Sequence, residues 1–99
     1  MEIVVLSGAE ADLFEAWKYY EELIPGLGER FDHSVQEGLR YLVQFPQSAP
    51  RYAQEFRRLI LRDFAYGIFY RLHGERLVIV AALDLRQDPG SIQRRLGAS

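Results

Sequence analysis

Arg57, Arg58, Arg62, Arg71 and Arg86 crowd the second half of the chain, with Tyr66 and Tyr70 set among them. A guanidinium presents a planar fork of N–H donors that fits a carboxylate or a phosphate. Tyrosine rings beside such cations can stack on nucleic-acid bases. More often they fill a core and keep only the hydroxyl wet, the reading preferred here. The chemistry on offer is anion recognition, either of phosphates or of an acidic protein segment. In the competing reading the arginines pair with Glu55, Asp63, Glu75 and Asp84 at strand edges, where charge deters unwanted pairing.

Other chemistry is thinly represented. There is no cysteine, so disulfides and thiolate metal sites are ruled out, and with only His33 and His73 a histidine metal centre is not expected. No G-x-S-x-G and no glycine-rich phosphate loop occurs. Gly26-Leu27-Gly28 opens a helix and could hold an anion there, but a tight inter-helix turn is favoured. Glu10, Glu15, Glu21, Glu22, Glu29 and Glu37 read as a solvated helix face in preference to paired catalytic carboxylates. Asp84-Leu85-Arg86-Gln87-Asp88-Pro89 follows an apolar run, and strand ends of this kind often carry function. Asp84 could orient Arg86 or simply begin the turn. No cofactor and no metal is expected.

Charge is unevenly divided. Residues 1–50 hold nine acids and three bases, giving −6, and residues 51–99 hold five acids and nine bases, giving +4. Such a split points to a charged partner for one half. Eleven of the twelve bases are arginine, and a GC-rich genome would explain that excess but not its gathering in the second half. The chain opens Met1-Glu2 without a basic segment and an apolar run behind it, so no secretory signal is expected and the cytoplasm is the default location. No apolar run approaches the ~20 residues of a membrane span.

The elements that must position these residues follow from hydrophobic period. Ile3-Val4-Val5-Leu6 reads as a strand buried on both sides. Ser7 with Glu10 predicts a capping box, and Ala9, Leu13, Ala16 or Trp17, Tyr20 and Ile24 predict an amphipathic helix that Pro25-Gly26 ends. Leu27, Phe31, Val35, Leu39 and Leu42 form the stripe of a second helix, over about Leu27 to Phe45. The short connection predicts an antiparallel helical hairpin. Pro46 and Pro50 bracket a loop. Phe56 to Asp63 alternates, with Phe56, Arg58, Ile60 and Arg62 on one face and Arg57, Leu59, Leu61 and Asp63 on the other. Tyr66, Ile68, Tyr70 and Leu72 share a face of the next strand, His73-Gly74-Glu75 makes a hairpin turn, and Leu77 to Leu83 is apolar throughout, as in a central strand covered on both faces. Asp88-Pro89 predicts the start of a short C-terminal helix through Leu96, carrying Arg94 and Arg95 and closed by Gly97. The expected fold class is α+β, β-α-α-β-β-β, with the helical hairpin packed on a mainly antiparallel sheet. Ninety-nine residues make a single domain, 1–99.

At this point the chain resembles the RelE/ParE toxin superfamily, and within it the ParE-like, plasmid-stabilisation branch. The resemblance covers nearly the whole sequence. It is carried by Ala11-Asp12-Leu13-Phe14-Glu15-Ala16-Trp17-Lys18-Tyr19-Tyr20, by Pro25-Gly26-Leu27-Gly28-Glu29-Arg30-Phe31 and by Leu39 through Pro46. It continues in Arg57-Arg58, in Phe64-Ala65-Tyr66-Gly67-Ile68-Phe69-Tyr70 and in Asp84 to Pro89. The order and spacing of these pieces are together specific, although no single piece is.

The resemblance implies a toxin of a type II toxin–antitoxin pair. Its partner would be a ParD-like antitoxin whose C-terminal segment wraps the toxin and whose N-terminal part binds operator DNA. Two activities occur in the superfamily: ribosome-dependent mRNA cleavage in the RelE-like members, and poisoning of DNA gyrase associated with the ParE-like ones. The nuclease pattern needs a tyrosine or histidine near the C-terminus. Here no tyrosine follows Tyr70, no histidine follows His73, the sole lysine is Lys18, and Asp84 stands where many relatives have histidine. Ala65 replaces part of a common Phe-Pro-Tyr, which touches a turn more than a site. An acidic chain is also a poor ribosome ligand. The expectation is therefore inhibition by protein–protein contact, with a non-toxic, antitoxin-binding relative as a further alternative. Arg57, Arg58, Arg62, Arg71, Arg86, Arg94 and Arg95 would face the partner, and Arg58, Arg62 and Arg86 would be the phosphate-binding set of a nuclease. No membrane or direct DNA contact is expected, and apolar surface left without the partner could drive homodimer formation.

Overall fold

The computed structural model describes residues 1–98. The order is β1 (Glu2–Val5), α1 (Ser7–Leu23), α2 (Leu27–Gln44), β2 (Arg51–Ala53), β3 (Phe56–Ile60), β4 (Tyr66–His73), β5 (Arg76–Asp84) and α3 (Pro89–Gly97). The five strands form one sheet in the order β1-β5-β4-β3-β2. β3, β4 and β5 are the expected antiparallel meander, and β1 joins β5 in parallel. The α+β class and the helical hairpin are as the period predicted. The three-residue strand β2 is additional, and the Pro-bracketed sequence before it gave no alternation to signal it.

Two cores result. On one face Ala9, Ala16 and Tyr20 of α1 and Phe31, Val35 and Leu42 of α2 pack on Ile68, Tyr70, Leu77 and Ile79. On the other, Ile92 and Leu96 of α3 cover Phe69, Val78, Val80 and Leu83. Every residue from Leu77 to Leu83 is buried, as a strand covered twice must be. Phe69 pairs with Ala81 but Tyr70 with Ile79, so Val80 is the extra residue of a β-bulge and lies on the same face as Ala81.

Several expectations are corrected. β1 is an edge strand and only half-buried, because its other side has no neighbour in the sheet. Ser7 is the first helical residue and makes no cap hydrogen bond. The Leu6 N–H still reaches the Ile79 carbonyl of the sheet, and its own carbonyl already accepts from Glu10, so the helix cap is Leu6. Ile24 lies beyond the end of α1 and is exposed. β3 stops at Ile60, not Asp63: Leu61 still donates to the Tyr66 carbonyl, but Asp63 has φ 71° and turns the chain. The Asp88 cap is as expected, its carboxylate accepting from the Ser91 N–H with Pro89 in the first turn.

Candidate functional site

The site is built along the free side of β3. β2 is so short that it reaches only as far as the Arg58 N–H, which donates to the Pro50 carbonyl at 3.1 Å. Beyond that point β3 is an open edge. α2 lies over it at close range because Gly38 faces Leu59; a Cβ there would stand 2.7 Å from Leu59 Cδ2. Between α2 and the end of β3 lies a hollow of about 760 Å³, with Tyr41, Leu59, Ile60, Leu61, Phe64 and Arg62 in its wall. A smaller hollow of about 210 Å³ lies towards Pro50 and Arg58. Tyr41, Leu59 and Ile60 line both, so the two form one trough. Its apolar groups are open to water: Tyr41 is 51% exposed and Ile60 55%; next to the trough, Phe45, whose ring centre lies 5.2 Å from that of Tyr41, is 53% exposed.

The arginines do not form one patch. Their partners divide them by position in the sheet. Near β1 and β5 three of them are matched by acids. Arg76 meets Glu2 at 3.1 Å and Arg86 grips Asp84 through two side-chain nitrogens, at 3.0 and 2.8 Å. Arg95 pairs with Asp12 at 2.7 Å. On the β2–β3 side none has a carboxylate among the described residues. Arg51 lies 3.4 Å from the Gln54 carbonyl, and Arg57 donates to the carbonyls of Gln47 and Ala49. Arg58 holds its guanidinium 5.0 Å from the centre of the Tyr52 ring, a cation–π contact, with its stem over Gly67. Arg62 is exposed at the trough with no carboxylate partner. Arg71 is half-buried on β4, and Arg94 donates to the Ser91 hydroxyl.

The tyrosines are core residues, as preferred from sequence. Tyr70 is fully buried and its hydroxyl donates to the Pro46 carbonyl at 2.8 Å. Tyr66 joins Tyr20, Phe31 and Phe64 in an aromatic nest with ring centres 4.9–6.0 Å apart. Burial raises the pKa of Tyr20, Tyr66 and Tyr70 above the usual phenol value. The Arg86 side chain holds the Asp84 carboxyl below its ordinary range, and Asp84 in turn holds the Arg86 proton more firmly. Burial and then neighbouring Glu29 raise Asp32.

Two residues matter more than their sequence context suggested. Asp12 accepts from the Ala82 N–H at 3.0 Å and from both terminal nitrogens of Arg95. It stands where β1 has left the sheet and β5 needs another acceptor. The signal was available: Asp12 falls between Ala9 and Ala16 on the inward stripe, where a charge demands a partner. Glu21, expected on a solvated face, reaches the start of α2 and accepts from the N–H groups of Gly26 and Gly28. The anion at that helix start is therefore the chain's own carboxylate.

Three comparisons bear on this architecture. Residues 3–89 match the family described as "ParE toxin of type II toxin-antitoxin system, parDE". The protein called "Toxin ParE2" in two strains of Mycobacterium tuberculosis is 28% identical over 93 residues, which is 93% of this chain and 89% of that one. A solved structure described as "Chromosomal ParDE TA system from P. aeruginosa" superposes with a TM-score of 0.77 at 23% identity, over 87% of this chain and 97% of the other. No helix among the described residues is long and apolar enough to cross a membrane.

Proposed function

This chain belongs to the ParE toxin family of type II toxin–antitoxin systems, and from that premise we propose that its antitoxin seats in the trough between α2 and β3. It is the toxin of its pair. The observation that carries the seating is the conjunction of exposed Tyr41, Phe45 and Ile60 with four arginines lacking acids on the same side of the sheet. Apolar anchors flanked along the trough by unmatched Arg58 and Arg62 suit an acidic, amphipathic segment. The partner we propose is ParD-like, with a separate DNA-binding part. The partner-facing set is then Arg57, Arg58 and Arg62, joined by half-buried Arg71 on β4 and exposed Arg94 on α3; Arg86 and Arg95 already hold acids of the chain itself.

Freed from the antitoxin, the toxin acts by contact with another protein in the cytoplasm, and DNA gyrase is the target the family suggests. The dispersal of the alternative set supports this reading over mRNA cleavage. Arg58 lies on the α3 side of the sheet over Tyr52, Arg62 lies at the trough, and Arg86 is clasped by Asp84 beside the tyrosine nest. Expression alone is expected to stop growth, and co-expression with the neighbouring antitoxin to restore it; normal growth without antitoxin overturns the toxic activity. Purified toxin is expected to inhibit gyrase supercoiling. Codon-linked mRNA ends after induction, lost on Arg58→Ala, would instead establish the nuclease.

A further inference from the structure

Along β1 the parallel ladder to β5 fixes which backbone groups face inward. The Glu2 N–H donates to the Glu75 carbonyl and the Leu6 N–H to the Ile79 carbonyl. The even positions therefore bond β5, and the N–H and C=O of Ile3 and Val5 point to the free edge of the sheet. Neither N–H has an acceptor among the described residues. α1 begins only at Ser7 and packs beside the later part of β5, where Asp12 takes the Ala82 N–H, so it leaves this edge open.

Nothing in the sequence guards that edge. Edge strands are commonly protected by charge, by proline or by a bulge. The other end of the sheet carries Arg51, Arg57 and Arg58. β1 has no proline and no charged residue between Glu2 and Glu10, and Ile3, Val4 and Val5 are β-branched and half-buried. The charge at its start, Glu2, is already held by Arg76.

We propose that a second copy of this chain pairs with β1, antiparallel, across a two-fold axis at Val4. In this register Ile3 of each copy faces Val5 of the other, and each such pair exchanges two N–H···O=C bonds. All the outward groups of Ile3 and Val5 in both strands are then satisfied. Val4 faces its own counterpart as the closer, non-hydrogen-bonded pair, on the α3 side of the sheet. Glu2 faces Leu6 of the other copy, and the two Glu2 positions stand about 13 Å apart along the strands, so no like charges meet. The two sheets become one continuous sheet, and both troughs remain free at its far ends. The pairing is therefore independent of the antitoxin seat.

Sedimentation of the full chain, purified free of antitoxin, from about 1 µM to about 500 µM tests the dimer. The mass is expected to rise from 11.5 kDa towards twice that value. Ile3→Pro removes an outward N–H that bonds nothing within the chain, and should weaken association about tenfold or more. Ile60→Arg, in the trough, should leave association unchanged. The absence of cysteine allows a second measurement, which decides the matter even if Ile3→Pro fails to fold. Under mild oxidation Val4→Cys should cross-link as a disulfide dimer, because directly opposed residues of that pair have the spacing a disulfide needs. Glu2→Cys, about 13 Å from its counterpart, should cross-link about tenfold more slowly or less. A monomer throughout the concentration range, equal cross-linking of the two cysteine variants, or association lost on Ile60→Arg and kept on Ile3→Pro overturns the proposal.

Discussion

The two sides of the sheet treat their arginines in opposite ways. Near β1 and β5, Arg76, Arg86 and Arg95 each meet an acid of the chain itself. Near β2 and β3, Arg51, Arg57 and Arg58 meet only carbonyls or a ring, and Arg62 meets solvent. The first side is covered by α1 and α3, and these three arginines are matched by acids of the chain itself. The second ends in an open strand under α2, with apolar rings exposed beside it. Charge that a fold leaves unmatched next to exposed apolar surface marks where something else is meant to bind. Charge that it matches inside marks how the fold holds itself together.

Breaking the closed side should cost the most. Asp12→Ala leaves the Ala82 N–H without its acceptor and takes the carboxylate from Arg95, which keeps the Gly8 carbonyl. We expect a loss of about 2–3 kcal/mol in denaturant unfolding, less than for a fully buried pair because Arg95 keeps water access. A loss below about 0.5 kcal/mol would remove the junction from the account of stability. Gly28→Ala is next. Its Cβ would stand 2.8 Å from the Trp17 indole nitrogen and 3.0 Å from the Glu21 Cβ, so the α1–α2 approach must open. About 1–2 kcal/mol is expected, by the same measurement. Tyr70→Phe removes the bond to Pro46 and should cost about 1 kcal/mol while loosening the loop that orients Arg57, seen as faster amide exchange before β2.

The open side should respond the other way. Arg62→Ala is expected to change stability by under about 0.5 kcal/mol yet weaken antitoxin binding, most of all at low salt. A large loss of stability with unchanged binding would reverse the assignment of the two sides. The smallest effect belongs to pH. The Asp84 carboxyl is depressed in the folded state by Arg86, so its contribution is present above the ordinary carboxyl value and is lost as pH falls through the lower folded value. Asp84→Asn should therefore flatten the acid limb of the stability curve slightly and leave neutral pH almost unchanged; an unaltered acid limb would show that the clasp carries no stability.

Much of this was legible because it depends on period and local chemistry. The helical hairpin follows from stripes such as Phe31, Val35 and Leu42, the doubly covered β5 from an unbroken apolar run, and the last helix from Asp88-Pro89. Alternation predicts core tyrosines, and the structure buries Tyr70 completely. Less legible were features that need two distant segments. β2 has three residues and no alternation of its own; it exists because β3 offers it an edge. Ser7 has the sequence of a cap, but the sheet bond of Leu6 sets the helix start first. The trough was not anticipated at all, since Tyr41 and Ile60 are nineteen positions apart and meet only when α2 settles on β3.

The α+β class, the hairpin, the meander and the family are each written in spacings along the chain. The excess of arginine in the second half is written there too. Which arginines are already matched depends on how the elements pack. Asp12 and Arg95 lie 83 residues apart, and their pairing is settled by where α1 and α3 pack, as the isolation of Arg62 is settled by where β2 ends. Ion pairing depends on distances of a few ångströms, and across such separations only the packed fold sets those distances.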